Sequence, residues 1–429
     1  MSSSSDKGLS KTLNASLSRT SPASQRTAVL SLASLFFVCG FSKVANNTLQ
    51  PHLHAVFNLS YAQTTLIGSV WFLGYFAVSL PAATLIERIG YRRSLVVGLL
   101  AMSTGALLMI EAVRLASYMS VLVALFAMAA GATLLEVAAN PYVALVGAPE
   151  TASSRLNLVQ AFNAVGSMAA PLFGSWLLLS RSRAGVAGDA AVAAFTPSER
   201  LADAQAVDLP YLIVAVILAG LAVVIAWVDL PEVSDRKKSS AKLPYSQLWR
   251  HPSFVTGLPA IAAYMLAEIG CASLFINLVC QPTTAGLTPV RAADYLFFLW
   301  AGMMVGRLTG SMVMRRVTPA VVLASASVLA FIVLIVTVVG HGPLVMWALI
   351  SVGLFHSIMF PTIFTLAIRD LGALTKMGSG LLIMAIGGGS LVFMQGWMAD
   401  KFGPQISFVI PAICELYILF FAMRGSRQK

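Results

Sequence analysis

Run after run of this sequence carries roughly 20 or more apolar residues between short polar interruptions, and a helix of that length crosses about 30 Å of hydrocarbon. Only 10% of the 429 residues are charged and 58% are hydrophobic, whereas an ordinary soluble domain has about 25% charged residues. A typical water-soluble protein is excluded. The runs read as twelve spans, at about 28 to 53, 62 to 86, 94 to 113, 117 to 146, 155 to 180, 209 to 230, 253 to 281, 291 to 314, 319 to 340, 343 to 368, 375 to 399 and 404 to 423. An even number puts both termini on one side. The longest interruption on that side, 231 to 252, divides the spans six and six. The pattern predicts an all-α integral membrane fold of two six-helix bundles, 28–230 and 253–423, joined by that linker and flanked by tails 1–27 and 424–429.

Basic residues set the orientation. Twenty lie on the side of the termini, among them Arg88, Arg92, Arg93, Arg155, Arg315 and Arg316, and six lie on the other. The positive-inside rule then places both termini in the cytoplasm. It also accounts for the net charge of +11 without a nucleic-acid partner. The Ser-rich residues 1–27 read as a disordered cytoplasmic tail and not as a signal peptide, because the apolar run that follows is too long and has no cleavage site. The four cysteines fall inside spans and read as buried thiols. No cofactor or metal site is expected. The five histidines are scattered, mostly near span ends.

An ionisable group among lipid costs at least about 2.5 to 3.5 kcal/mol, so each one inside a span is a functional candidate. Those placed deep are Lys43 in the first span, Glu136 in the fourth, Glu268 in the seventh and Arg307 in the eighth. Lys43 and Asn47 are four residues apart and share a helix face. Counting 1.5 Å per residue from the cytoplasmic ends, Lys43 lies roughly 22 Å up and Glu136 roughly 15 Å. A lysine side chain spans that difference. The expectation is that the two meet in a water-accessible cavity; the alternative is that Lys43 extends its amine to the outer headgroups. Arg307 sits between Gly306 and Gly310, where close packing between helices competes with a site role.

Between the second and third spans the chain reads ATLIERIGYRRS. Glu87 with Arg88, Arg92 and Arg93 can hold helix ends shut on the inner side and release them when the bundles rock. This loop resembles the major facilitator superfamily signature, approximately GxxxDRxGRR, with Ala83, Glu87 and Tyr91 departing from it. Within that superfamily the chain looks like the fucose permease and glucose/galactose permease branch. The strings that carry the resemblance are EVAANPYVALVG (136–147), RLNLVQAFNAVGS (155–167), AEIGCASLFINL (267–278), SIMFPTIFTLAIRDLG (357–372) and GSGLLIMAIGGG (378–389).

The resemblance implies a non-enzymatic secondary transporter of a bacterial inner membrane, importing a neutral monosaccharide or amino sugar by alternating access, working as a monomer among membrane lipid. It implies proton coupling at Glu136 and sugar contacts from Gln160 and Asn163; Lys43, unusual at its position, is read as tuning Glu136, and Asn47, Glu268, Asn277 and Phe360 are read as further sugar-contact candidates. Gln160 and Asn163 stand three apart on one helix face, and amides offer the donors and acceptors that a polyol needs; helix-to-helix bonding is their alternative use. Trp71, Tyr264 and Trp300 are further aromatic candidates for stacking on a sugar. Phe360 matches the glucose/galactose type, since the fucose type has tyrosine there. Asn47 occupies the family's aspartate position and cannot exchange a proton. Uncoupled or sodium-coupled transport, sugar export and a non-transporting sensor therefore stay open as alternatives. The triplet Gly387 to Gly389 reads as a packing or bending element, not a phosphate cradle.

Overall fold

The computed structural model of the chain describes residues 30–44, 61–115, 117–146, 148–174, 207–228, 245–287 and 289–427. Asn47, the tail 1–27 and most of the linker lie outside the described residues. Every described element is helical. The first half contributes α1 (Leu30–Val44), α2 (Tyr61–Arg114), α3 (Tyr118–Leu145), α4 (Ala152–Gly174) and α5 (Asp208–Trp227). The second contributes α6 (Pro252–Ser273), α7 (Phe275–Val279), α8 (Pro289–Val313), α9 (Pro319–Val339), α10 (Pro343–His356), α11 (Met359–Ile368), α12 (Thr375–Met384), α13 (Phe393–Phe402), α14 (Pro404–Ser407) and α15 (Val409–Arg427). Among the described residues, nine stretches are long and apolar enough to cross a membrane.

Local chemistry explains several boundaries. α2 holds the second and third spans in one element that reverses at Gly90, where φ is 79°. A residue with a Cβ would cost about 1–3 kcal/mol in that extended positive-φ conformation, which is essentially reserved for glycine. Ser117 caps α3 by accepting from the Ser120 amide at 3.3 Å. Pro252, Pro319 and Pro343 each stand at a helix start, where the missing N–H leaves no bond unmade. At the other end of α3, Arg155 donates to the carbonyls of Val143 (3.1 Å), Ala144 (2.8 Å) and Ala148 (2.9 Å), satisfying the helix end that has no further turn to bond to.

Helices of the first half pack on one another, with α2 running along both α3 and α5, and those of the second half do likewise, with α15 against α9 and α6. The halves meet where α4 packs on α8 and α11, and where α12 packs on α2 and α3. α3 is two-thirds buried along its apolar window and α9 one-third. α3 is therefore a central element facing protein, and α9 presents its outer face to lipid.

Four breaks depart from the uninterrupted spans expected of the sequence, and one of them, in the twelfth span, falls at Phe408 between α14 and α15. The seventh span breaks at Leu274, between α6 and α7. The tenth breaks at Ser357 and Ile358, between α10 and α11. The eleventh tightens into a 3-10 stretch, Ala385–Val392, that contains the glycine triplet. Interrupted helices of this kind are where transporters of repeat architecture place their sites.

Candidate functional site

α3 brings Glu136 to the centre of the first half, where the Tyr75 hydroxyl of α2 donates to its carboxylate at 2.9 Å. One turn on, Asn140 donates back to the Glu136 carbonyl at 3.0 Å, and its side-chain oxygen accepts from the Gln160 amide of α4, also at 3.0 Å. The Gln160 carbonyl accepts from the Arg307 guanidinium of α8 at 2.7 Å, and Arg307 donates again to the Ser357 carbonyl at 3.2 Å, inside the break between α10 and α11. A polar string thus runs from α2 through α3, α4 and α8 to α10, crossing from one half to the other.

Lys43 on α1 and Arg307 both act on the Glu136 carboxyl through their charge. The ion pairs of 4 Å or less among the described residues are Arg114 with Glu111 and Asp208, and His356 with Glu415. Lys43 therefore influences Glu136 without a contact pair. Asn163 donates to the Phe36 carbonyl of α1 at 3.2 Å. Gln160 and Asn163 each commit one amide donor to a neighbouring helix, and an amide keeps further donor and acceptor capacity beyond that.

On the facing side, Tyr264 and Glu268 stand one turn apart on α6. The Tyr264 hydroxyl feels the charges of Glu268, Arg307 and Glu415, although it is outside strict hydrogen-bond geometry with any of them. Phe360 is tilted against Tyr264 at 6.4 Å and against Phe364 at 6.0 Å, which makes a continuous aromatic wall. Asn277 is exposed on α7, past the break in the seventh span.

The residues expected to gate divide by location. Arg92 donates to the carbonyls of Ile225 (3.4 Å) and Ala226 at the end of α5, so it closes a helix end within its own half. Glu87, Arg88 and Arg93 are exposed. Burial, with the charge of Glu87 adding to it, pushes the phenol of Tyr245, in the segment that leads into α6, above its usual range. Among the described residues, other groups also join the halves at this basic end. Lys376 of α12 lies 5.5 Å over the ring of Tyr91, and Tyr91 packs on Tyr142 of α3 at 5.6 Å. Ser153 meets Thr365 at 2.5 Å, Ser154 and Ser311 exchange bonds through each other's carbonyls at 2.7 and 2.9 Å, and Asn157 donates to Thr362 at 3.3 Å.

Comparisons with known proteins place this fold. The sequence model of the Major Facilitator Superfamily covers residues 32–394. The chain belongs to the major facilitator superfamily. It is 42% identical over 402 residues to the glucose/galactose transporter of Brucella abortus, covering 94% of both chains. It is 32% identical over 402 residues to the L-fucose-proton symporter of Escherichia coli, covering 91% of both. The crystal structure of the transporter FucP in an outward conformation superposes with a TM-score of 0.86 at 31% identity, over 93% of this chain and 99% of that one. The chain is thus a transporter, not an enzyme, in the fucose and glucose/galactose permease branch, with the twelve-helix fold of its superfamily.

Sequence reasoning missed Tyr75, Asn140 and Glu415. The first two are ordinary polar residues in an apolar run, and only the fold shows which helix they face. Glu415 carried a readable signal, an acid in the apolar string ICELYILFF.

Proposed function

We propose that this protein imports a neutral monosaccharide of the glucose/galactose type across a bacterial inner membrane by alternating access, together with a proton carried at Glu136. The observation that carries the reading is the position of Glu136. Its carboxylate is held by Tyr75, is flanked by two cations without a contact pair, and leads through Asn140 and Gln160 to the interface between the halves. A carboxyl so placed changes the charge of the central space when it takes up or releases a proton, and sugar-binding amides lie on the same string. Identity to the Brucella abortus glucose/galactose transporter exceeds that to the fucose symporter, and Phe360 supports the same substrate type.

In this reading the two halves are the six-helix bundles 28–230 and 253–423, with both termini in the cytoplasm and one chain forming the pathway. The hydroxyl contacts of Ser153, Ser154 and Asn157 close the cytoplasmic side in the state described here. Protonation of Glu136 removes its attraction for Lys43 and Arg307, and sugar bound by Gln160, Asn163 and Asn47 on one side and by Glu268, Asn277 and the Phe360 wall on the other draws the halves together.

Purified protein in proteoliposomes tests this. An inward proton gradient is expected to drive accumulation of D-glucose and D-galactose, an uncoupler to abolish it, and Glu136→Gln to lose accumulation while keeping sugar counterflow. Uptake indifferent to gradient and uncoupler would instead establish facilitated transport, the reading favoured if the charge of Lys43 holds Glu136 permanently ionised. Full uphill accumulation by Glu136→Gln would remove Glu136 from the mechanism. Accumulation of L-fucose alone would overturn the substrate type.

A further inference from the structure

The second half contains another buried acid, and it meets its partner at a helix break. His356 is the last residue of α10, and α11 resumes at Met359. The imidazole Nε2 lies 2.8 Å from Glu415 Oε1 on α15, and the two side chains are 2% and 0% exposed. The other carboxyl oxygen of Glu415, Oε2, is buried with no hydrogen-bond partner.

A purely structural pair would be poorly made this way. Buried carboxyls normally use both oxygens, and replacing a buried ion pair by packed apolar side chains is often neutral or stabilising. An orphan oxygen beside an imidazole fits a pair organised around one proton. With that proton shared between Oε1 and Nε2 the pair is neutral overall. Its loss leaves a carboxylate beside a neutral imidazole; a second proton leaves an imidazolium beside a carboxylic acid. Each of these carries a net charge that apolar surroundings disfavour, so the number of protons held is tied to the local packing.

The groups around the pair are few. Tyr264 of α6 stands edge-on to His356 at 5.9 Å and feels Glu268, Arg307 and Glu415. The thiols of Cys271 on α6 and Cys414 on α15 are also within reach of Glu415's charge. α9, packed along α15, has no ionisable side chain, and neither has α11. On the other side of the break, the carbonyl of Ser357 is held by Arg307, the cation that also acts on Glu136. The break between α10 and α11 is thus gripped by the pair on one face and by the arginine that joins the halves on the other.

We propose that His356 and Glu415 form a second proton-binding site, in the C-terminal half, whose occupancy sets the bend between α10 and α11 and with it the position of Tyr264. This goes beyond the coupling assigned to Glu136 and does not depend on it.

The first arm of the test needs no sugar. Full-length protein labelled with 15N-histidine is titrated from about pH 5 to about pH 9 by NMR, with the His356 signal identified by its loss in His356→Gln. A change of protonation state at His356 is expected within that range, with a midpoint that moves in Glu415→Gln, where the carboxylate's charge is gone. A His356 signal in one state throughout, or a midpoint unmoved by Glu415→Gln, overturns the proposal. If Glu415→Gln does not fold, the wild-type titration decides alone. In the second arm, D-galactose and D-glucose counterflow is followed over the same range. One limb of the wild-type pH profile is expected to vanish in both Glu415→Gln and His356→Gln, whereas a structural pair would depress transport evenly at every pH and so refute a proton-binding role. Failure of the wild type to move either sugar would count against the proposed transport function, with the first arm still deciding the pair.

Discussion

Single side chains do separable work around Glu136, and Tyr75 shows it most cleanly. Its hydroxyl is the donor to the Glu136 carboxylate, and hydrogen bonds to charged groups are worth about 1.5–3 kcal/mol. Tyr75→Phe keeps the ring and removes that donor. Proton-driven accumulation of D-galactose is expected to fall about tenfold or more, with counterflow changed far less, and both are measured in the same proteoliposomes. Equal losses in the two would show that the phenol only supports packing. The acid itself was legible because a charge in an apolar run announces its own cost. Its phenol partner was not, because a tyrosine in a span has many apolar neighbours that satisfy its ring, and hydropathy does not record where its hydroxyl points. For Lys43 the sequence supplied depth, and the fold supplies charge influence on Glu136 without contact.

At the scale of elements, span count and order could be read from hydropathy, but the breaks could not, since an interrupted helix is as apolar as a straight one. Gly387 to Gly389 marked one bend correctly as a packing and bending element: the 3-10 stretch lies there, and a Cβ on Gly388 would sit 2.7 Å from Ala262 Cβ. The break after His356 had no such marker in sequence. It is stabilised from outside, by α8, which approaches so closely at Gly306 that a Cβ there would collide with Ser357 Oγ and the Leu354 carbonyl. Gly306→Ala should therefore lower stability by about 1–3 kcal/mol, the usual cost of overpacking, whereas Gly220→Ala inside α5, where nothing lies within 4 Å, should leave stability unchanged or raise it by up to about 1 kcal/mol through helix propensity. Thermal unfolding of the solubilised proteins compares them. The arginines of the loop separate in the same assay. Arg92→Ala removes the donor to the last carbonyls of α5 and should cost about 1–3 kcal/mol, while Arg93→Ala, at an exposed position, should leave the unfolding temperature in place. Equal behaviour of the two would contradict the capping role.

At the scale of the whole molecule, transport by alternating access requires the contacts between halves at the basic end to break in every cycle. The sequence pointed to charged residues of the loop as those contacts, because charge clusters are visible in sequence and pairs of hydroxyls are not. Among the described residues, small hydroxyls are among the groups that join the halves side chain to side chain. Ser154 and Ser311 bond reciprocally across the interface, and Lys376 covers the Tyr91 ring. Neutral hydroxyl contacts make a closure that is easy to open, since each hydrogen bond contributes only about 0.5–1.5 kcal/mol net and water replaces it when the halves part. The closure should also be insensitive to salt, unlike one built from exposed ion pairs. Ser154→Cys with Ser311→Cys, in a background where the four native cysteines are replaced, turns this contact into a lock. The two side chains touch, with their hydroxyl oxygens 3.2 Å apart, so mild oxidation should form a disulfide. Oxidation is then expected to stop D-galactose counterflow and reduction to restore it, while either single cysteine variant stays indifferent to both. Counterflow that continues with the disulfide in place would mean that this interface never opens, and the rocking of two halves about a central site would have to be abandoned for this chain.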